Sequence, residues 1–451
     1  MGFGGATVLG SVGVGTGSAL ATGDRDHLSR LAEGGGDGDD ERPRTGFEKR
    51  NGESWTTLEE EREFLNAVAA SSQRMEFEKM GSSDEGRPLH LVRLGSPKPP
   101  TEGAPKDKPS VYFIGTQHGN EPAAREALLI SLRDLAYTDD STLVEQMGEQ
   151  SLLVTPTANP DGRANDTRGN GTTDINRDHL RLTQPETRAI HRVMRDWQPD
   201  VFFDHHEYGP SVPVVYEADI LYLWPRNLNV DPRVQDLART LAEEYVGKGA
   251  RRAGYSADTY GVFKVEDQPI TQLAGGPDEG ISRNASGLRH SLGILIESAV
   301  SQSRERPGEF VSDAENRLRR VNSQIQTVVD ALRFMREQGG LAKFASDGAS
   351  ERAAEEGAEQ ERPTYWGGAD NEEPDDDEID DPPACRYELT GDQLAEVKRA
   401  LNLHGVDFGP APGSPDGTWV GMGQGSRPVI PLLLDERANR NEVAGDAVYD
   451  C

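Results

Sequence analysis

The sequence predicts an α/β fold: a mixed, mostly parallel central β-sheet covered by helices on both faces, followed by a small C-terminal module. Three observations carry this. Short apolar runs, Val111–Gly115, Leu152–Thr155, Val201–Asp204 and Ile294–Ile296, alternate with helix-periodic segments, the pattern of strands buried on both faces. Several of these runs end at polar residues: His118 and Glu121 follow the first, His205 and His206 the third, and Glu297 the fourth. In open α/β sheets ligands gather at the carboxyl ends of strands, where these groups fall. Finally, 451 residues suffice for one core of about 250 to 300 residues with smaller parts left over.

Taken in order, residues 1–21 are rich in Gly, Ala and Val and close on Ser18-Ala-Leu-Ala21, the small-residue end of an export signal. No Lys or Arg precedes Arg25, so this signal lacks its basic head, as it would if the true start codon lay upstream. Residues 22–45 read as a flexible segment, with order expected from near Trp55. Thr57-Leu-Glu-Glu60 has capping-box spacing and opens an amphipathic helix through Phe64, Leu65 and Val68. Strands are expected at Met75–Phe77 and Leu89–Leu94, separated by the turn-rich Gly81–Gly86. The strand before His118 leads into a helix from Pro122 to Ala136, and Leu152–Thr155 precedes Asn159-Pro-Asp-Gly162. Helices follow from Pro185, over Val234–Tyr245 and over Phe310–Glu337. Residues 46–344 therefore form the main domain. Residues 345–384, nearly continuous acid at Asp375–Asp381, read as a disordered linker. Residues 385–451 resume order, with a helix over Leu389–Leu403.

Charge and cysteine content narrow the setting. There are 48 basic and 78 acidic residues, a formal charge of −30, which argues against nucleic acid as a partner. Such an acid excess is that of proteins from very salty surroundings, where the Debye length is about 3 Å and self-repulsion is screened; a halophilic archaeal source is expected. Cys385 and Cys451 are the two cysteines and can close a loop around the C-terminal module, which suits an exported protein. No stretch beyond the first 21 residues is long and apolar enough to span a bilayer.

Two histidines and a carboxylate make a catalytic zinc set with a position open to water, and a further carboxylate can move that water's proton. At this point the chain resembles the zinc metallocarboxypeptidase family, of the pancreatic carboxypeptidase type, from about Trp55 to Arg336. The resemblance rests on six motifs in order: His118-Gly-Asn-Glu121, Asn159-Pro-Asp-Gly162, Asp174-Ile-Asn-Arg177, Pro185-Glu-Thr187, His206-Glu-Tyr208 and Ile294-Leu-Ile-Glu297.

The resemblance implies one Zn2+ per chain held by His118, Glu121 and His206. His206 is preferred over His205 because the family ligand stands two residues after an Asp, here Asp204. Glu297 matches the general base that activates the zinc-bound water. Asn176 and Arg177 match the pair that grips a substrate's terminal carboxylate, for which an Arg fork is suited. Arg168 matches the arginine that polarises the scissile carbonyl, with Arg163 as its competitor. The family's mobile tyrosine has no clear counterpart, although Tyr255 and Tyr260 are present. Asp267, Glu279 and Arg283 are all plausible pocket residues, so specificity stays open. The implied activity is removal of C-terminal residues from peptides bearing a free carboxylate. The alternatives are a zinc amidohydrolase acting on an acyl-amino acid or cell-wall peptide, and a catalytically silent binding protein on the same fold.

Overall fold

The computed structural model describes residues 42–102, 107–171, 173–209, 218–261, 263–265, 268–270, 275–301, 312–411 and 416–451. The expected signal at 1–21 and nearly all of the expected flexible segment lie outside these residues. Order begins earlier than Trp55. Thr45 caps a short helix, Gly46–Lys49, through a reciprocal capping box with Glu48, and Phe47 stacks on Trp55 at 5.1 Å.

The main domain is built on strands β1 (Met75–Ser82), β2 (Pro88–Leu94), β3 (Ser110–Gly115), β4 (Ser151–Thr155), β5 (Val201–Tyr208), β6 (Ile220–Leu223), β7 (Ala257–Thr259), a small hairpin of β8 (Phe263–Val265) with β9 (Gln268–Ile270), and β10 (Leu292–Ala299). The eight-stranded sheet has the order β1-β2-β4-β3-β5-β10-β6-β7. Neighbours β4/β3, β3/β5, β5/β10 and β6/β7 are parallel, whereas β1/β2, β2/β4 and β10/β6 are antiparallel. The expected mixed, mostly parallel sheet is therefore present.

Alternation within the apolar runs explains why they carry no polar face. Val111, Phe113, Val201 and Phe203 point into one core, shared with the helix Ala123–Tyr137 and the helix that begins at Asp313. Tyr112, Ile114, Leu153 and Phe202 point the other way, against Ile190, Val193 and Met194 of the helix Pro185–Trp197. With helices on both faces, successive side chains are all buried. The chain crosses from β3 to β4 on one side and then to β5 on the other, so β3 stands at a topological switch point.

The last helix of the main domain is far longer than expected. It runs from Asp313 to Glu359, 47 residues, or about 70 Å at 1.5 Å per residue. Its later turns enter the region expected to be a disordered acidic linker, and that expectation is corrected. Ala345, Ala349, Ala353 and Gly357 form a buried stripe while Glu351, Glu355 and Glu359 face outward. An added Cβ at Gly357 would stand 2.0 Å from the Met422 carbonyl oxygen, so only glycine lets this backbone meet the C-terminal module. Beyond it, Thr364–Tyr365 pairs with Ile379–Asp380. The acids of this stretch act as counterions: Asp370 pairs with Arg226 and accepts from the Trp224 indole, and Asp380 pairs with Arg437 at 2.9 Å.

The C-terminal module holds a four-stranded antiparallel sheet of Gly409–Pro410, Thr418–Gly421, Arg386–Leu389 and Asp446–Val448. The expected helix is present at Gly391–His404. Cys385 and Cys451 are joined in a disulfide. The module lies against the main domain: His404 Nε2 contacts the Leu180 carbonyl at 2.7 Å, Glu442 pairs with Arg181, and Arg440 holds Asp278. Among the described residues no helix is long and apolar enough to cross a membrane.

Candidate active site

His118 follows β3 through Thr116, whose φ of +53° turns the chain off the strand. The Thr116 hydroxyl donates to the Glu121 carbonyl at 3.2 Å, and the Glu121 amide donates to the His118 carbonyl at 3.0 Å. This small turn presents both side chains at the carboxyl end of the sheet. The helix that begins at Ala123 then has its first amide held by Glu207 Oε2, at 2.9 Å. His206 arrives from the end of β5, the neighbour of β3.

The four donor atoms of these residues converge. His118 Nδ1 lies 2.8 Å from Glu121 Oε1, His206 Nδ1 lies 2.9 Å from Glu121 Oε2, and the two Nδ1 atoms are 3.0 Å apart. The residues are 3, 7 and 1 % exposed. Their outer nitrogens already face acids: His206 Nε2 is 2.7 Å from Asp204 Oδ2, and His118 Nε2 is 3.2 Å from Asp174 Oδ1. An Nε2–H donating to a carboxylate leaves the Nδ1 lone pair pointing inward. Four inward lone-pair atoms repel one another unless a cation lies among them, and a His-Glu-His set of this size suits a divalent metal.

Glu297 is on β10 in direct register with His206 on β5, so the two side chains leave neighbouring strands on the same face. One of its carboxylate oxygens is buried without a hydrogen-bond partner. Burial, with Glu121 and Asp204 adding to it against the pull of His206 and Arg168, pushes its pKa up to about 8. A buried, proton-accepting carboxylate beside a metal set is what a general base requires.

Around this centre the sequence-derived candidates divide. Arg168 reaches it: Nη1 is 3.5 Å from Glu121 Oε1, and Nε donates to Asp174 at 3.0 Å. Its competitor Arg163 instead donates to the Gly119 carbonyl and pairs with Asp166. Asn176 is buried, and both ends of its amide are engaged by the protein: Oδ1 accepts from the Ser282 amide at 2.9 Å, and Nδ2 lies 3.3 Å from Asp204 Oδ2 and 3.0 Å from His206 Nε2. It braces the centre. Arg177 is exposed, donates to the Asn176 carbonyl at 2.7 Å, and has no carboxylate partner among the described residues. His205 points to the other face, packed against Phe113 and Phe203 and bonded to Thr327. Asp267 lies outside the described residues.

Sequence reasoning missed several participants. Asp204 was visible only as a spacing, although residues two apart in a strand share a face, which would have aimed it at His206. Ser282, from the helix Ser282–Gly287, donates to Asp204 through its hydroxyl; no local pattern announces it. Of the two tyrosines the sequence offered, Tyr260 lies within electrostatic reach of this centre. Burial, reinforced by Glu297 and opposed by Arg283, Arg168 and Arg177, pushes its phenol up to about 12. Tyr255 and Tyr260 both pack against the main apolar core.

Residues 61–181 match the family model for zinc carboxypeptidases, a span that includes His118 and Glu121 and ends before His206 and Glu297. Carboxypeptidase 2 of Trichophyton rubrum is 32 % identical over 260 residues, covering 55 % of this chain and 48 % of that protein. Carboxypeptidase 2 of Trichophyton tonsurans is 32 % identical over 293 residues, covering 62 % and 53 %. The chain thus spans about half the length of these curated relatives. Among solved structures, the carboxypeptidase A of Helicoverpa armigera aligns with a TM-score of 0.49 at 16 % identity, over 72 % of this chain and 80 % of that one.

Proposed function

We propose that this chain is a zinc-dependent metallocarboxypeptidase that hydrolyses the C-terminal peptide bond of peptides. The observation that carries the reading is the convergence of His118, Glu121 and His206 with Glu297 in register beside them. The family-model match and the carboxypeptidase relatives support it, and the six ordered motifs favour the pancreatic type within that family.

Zinc bound to this set supplies a Lewis acid that polarises a carbonyl and makes water a nucleophile near neutral pH. Every other part of the mechanism belongs to the chain. Asp204 and Asp174 hold the two imidazoles with Nδ1 facing inward. Glu297 takes the proton of the attacking water on its carboxylate and returns it to the leaving amine. Arg168, beside Glu121, faces the oxygen on which charge develops. Arg177 offers its fork to the terminal carboxylate. We further read the enzyme as exported and salt-adapted: the disulfide favours an oxidising compartment, and the net charge of −30 favours high salt.

The test is zinc content together with hydrolysis of peptides with free and amidated C-termini, in high salt, with Glu297→Gln as control. Release of single residues from free peptides alone, lost on chelation and in the variant, is expected. Zinc binding with no cleavage of either set would replace this reading with an unusual amide substrate; absence of zinc would leave a silent binding protein.

A further inference from the structure

Although the chain carries a formal charge of −30, one of its clefts is lined by cations. This cleft lies between the main-domain helix Pro185–Trp197 and the module helix Gly391–His404, and its volume is about 580 Å³. Arg188, Arg192 and Arg195 stand four and three residues apart on the first helix, so they share one face. The opposite face buries Ile190, Val193 and Met194. Lys398 and Arg399 come from the second helix, with Asn402 one turn further on. Ala395 and Leu403 complete the lining, and no acidic residue belongs to it.

The protein compensates these cations poorly. Both helices and the chain flanking them, residues 173–209 and 312–411, are described throughout. Of the five cations, only Arg195 forms an ion pair among the described residues, with Asp196 at 2.8 Å. Arg188 donates to the carbonyls of Leu182 and Thr183, and Arg192 to that of Met80 at 3.0 Å. Burial holds the Arg188 guanidinium below its usual range; Arg399 and Arg192 add to this, while Asp178 and Glu186 oppose it. Like charges therefore face one another across the junction of the main domain and the module, an arrangement that costs stability. With 78 acidic residues in the chain against 48 basic ones, a cleft filled without regard to sign would hold more acids than bases.

We propose that this cleft binds a compact multivalent oxyanion, phosphate or sulfate, which ties the module helix to the main domain. Guanidiniums suit such an anion, since each can give two parallel N–H bonds to two of its oxygens. The Asn402 amide adds an uncharged donor. A tetrahedral anion has oxygens on every side and accepts from both helices at once; chloride has one charge and no such geometry. The cations span about 10 Å along the first helix and less along the second, a length for a compact anion and not for a long polymer.

The experiment is equilibrium dialysis of labelled inorganic phosphate against the zinc-loaded full chain and its Lys398→Gln/Arg399→Gln variant, at matched ionic strength in sodium chloride. Both substituted side chains are exposed and lie outside the metal centre, so fold and kcat/KM should be unchanged. The native chain is expected to hold a phosphate that the variant binds about tenfold more weakly or worse, through the loss of charge-assisted contacts. Phosphate should raise the Tm of the native chain more than that of the variant, whereas its general effect as a stabilising salt is common to both. In chloride alone the variant should melt no lower than the native chain, because repulsion has been relieved. Equal phosphate binding by the two proteins overturns the proposal, since an anion held at the metal centre would survive the substitution. Binding of hexaglutamate with phosphate inert also overturns it. Competition separates the sources of the anion: displacement by sulfate alone supports a free ion, displacement by sulfate and phenyl phosphate supports an esterified one, and displacement by neither overturns the proposal.

Discussion

The Nδ1 atoms of His118 and His206 lie 3.0 Å apart, and each is within 2.9 Å of a different oxygen of Glu121. Both imidazoles have an acid behind the other nitrogen, so the inward lone pairs are fixed before any metal arrives.

Zinc is accordingly expected to bind the folded protein and stabilise it, by about 4 kcal/mol at a free concentration a thousandfold above Kd. His206→Ala should abolish both the bound zinc and the zinc dependence of Tm. Melts with and without chelator check this, and an unchanged Tm in the native sequence would count against it.

Glu297→Gln should keep zinc while lowering kcat by about 10²- to 10⁴-fold, the usual size of general-base catalysis. In the metal-free protein the folded-state pKa of about 8 lies above the ordinary 4.5. The contribution of Glu297 to stability is therefore complete below about pH 4.5 and is lost as the pH rises through 8. Melts of the metal-free native protein should fall over that window relative to Glu297→Gln. Zinc favours the charged carboxylate, so the acid limb of kcat/KM should lie below pH 8.

Arg440, from the C-terminal module, donates to both oxygens of Asp278 at 2.5 Å and to the Arg177 carbonyl at 3.2 Å. Losing a charge-assisted contact of about 1.5 kcal/mol should raise KM about tenfold in Arg440→Ala, with kcat little changed and zinc retained. Steady-state kinetics separate this from a loss of fold, which would lower the apparent kcat with KM unchanged.

Gly357→Ala should destabilise the protein even though alanine is the better helix former by about 1 kcal/mol. The new methyl carbon would meet the Met422 carbonyl oxygen, forcing the helix and the module apart. Thermal unfolding of the variant tests the sign; a rise in Tm would show that the interface yields.

The fold and the metal centre were legible because both follow short-range rules. β3 and β5 are continuous apolar runs, and His118, Glu121 and His206 come directly at their ends. Arg168 and Asn176 were legible as motifs, but the use of the Asn176 amide depends on Ser282, 106 residues away. Ser282 meets Asp204 only through tertiary packing, which no local pattern around Ser282 signals. The acidic stretch misled for a different reason. Composition averages around a helix, so Glu351, Glu355 and Glu359 concealed the alanine stripe on the opposite side.

The helix Asp313–Glu359 has mechanical consequences. It begins beside the eight-stranded sheet and ends under the C-terminal module without a break, and a sharp bend between its ends would have to disrupt its backbone hydrogen bonds. The module cannot swing as a tethered appendage. It moves with the sheet as a strut, and through Arg440 it braces one side of the cleft. Limited proteolysis near residue 350 should therefore be slow, and calorimetry should register a single cooperative endotherm for both parts of the chain.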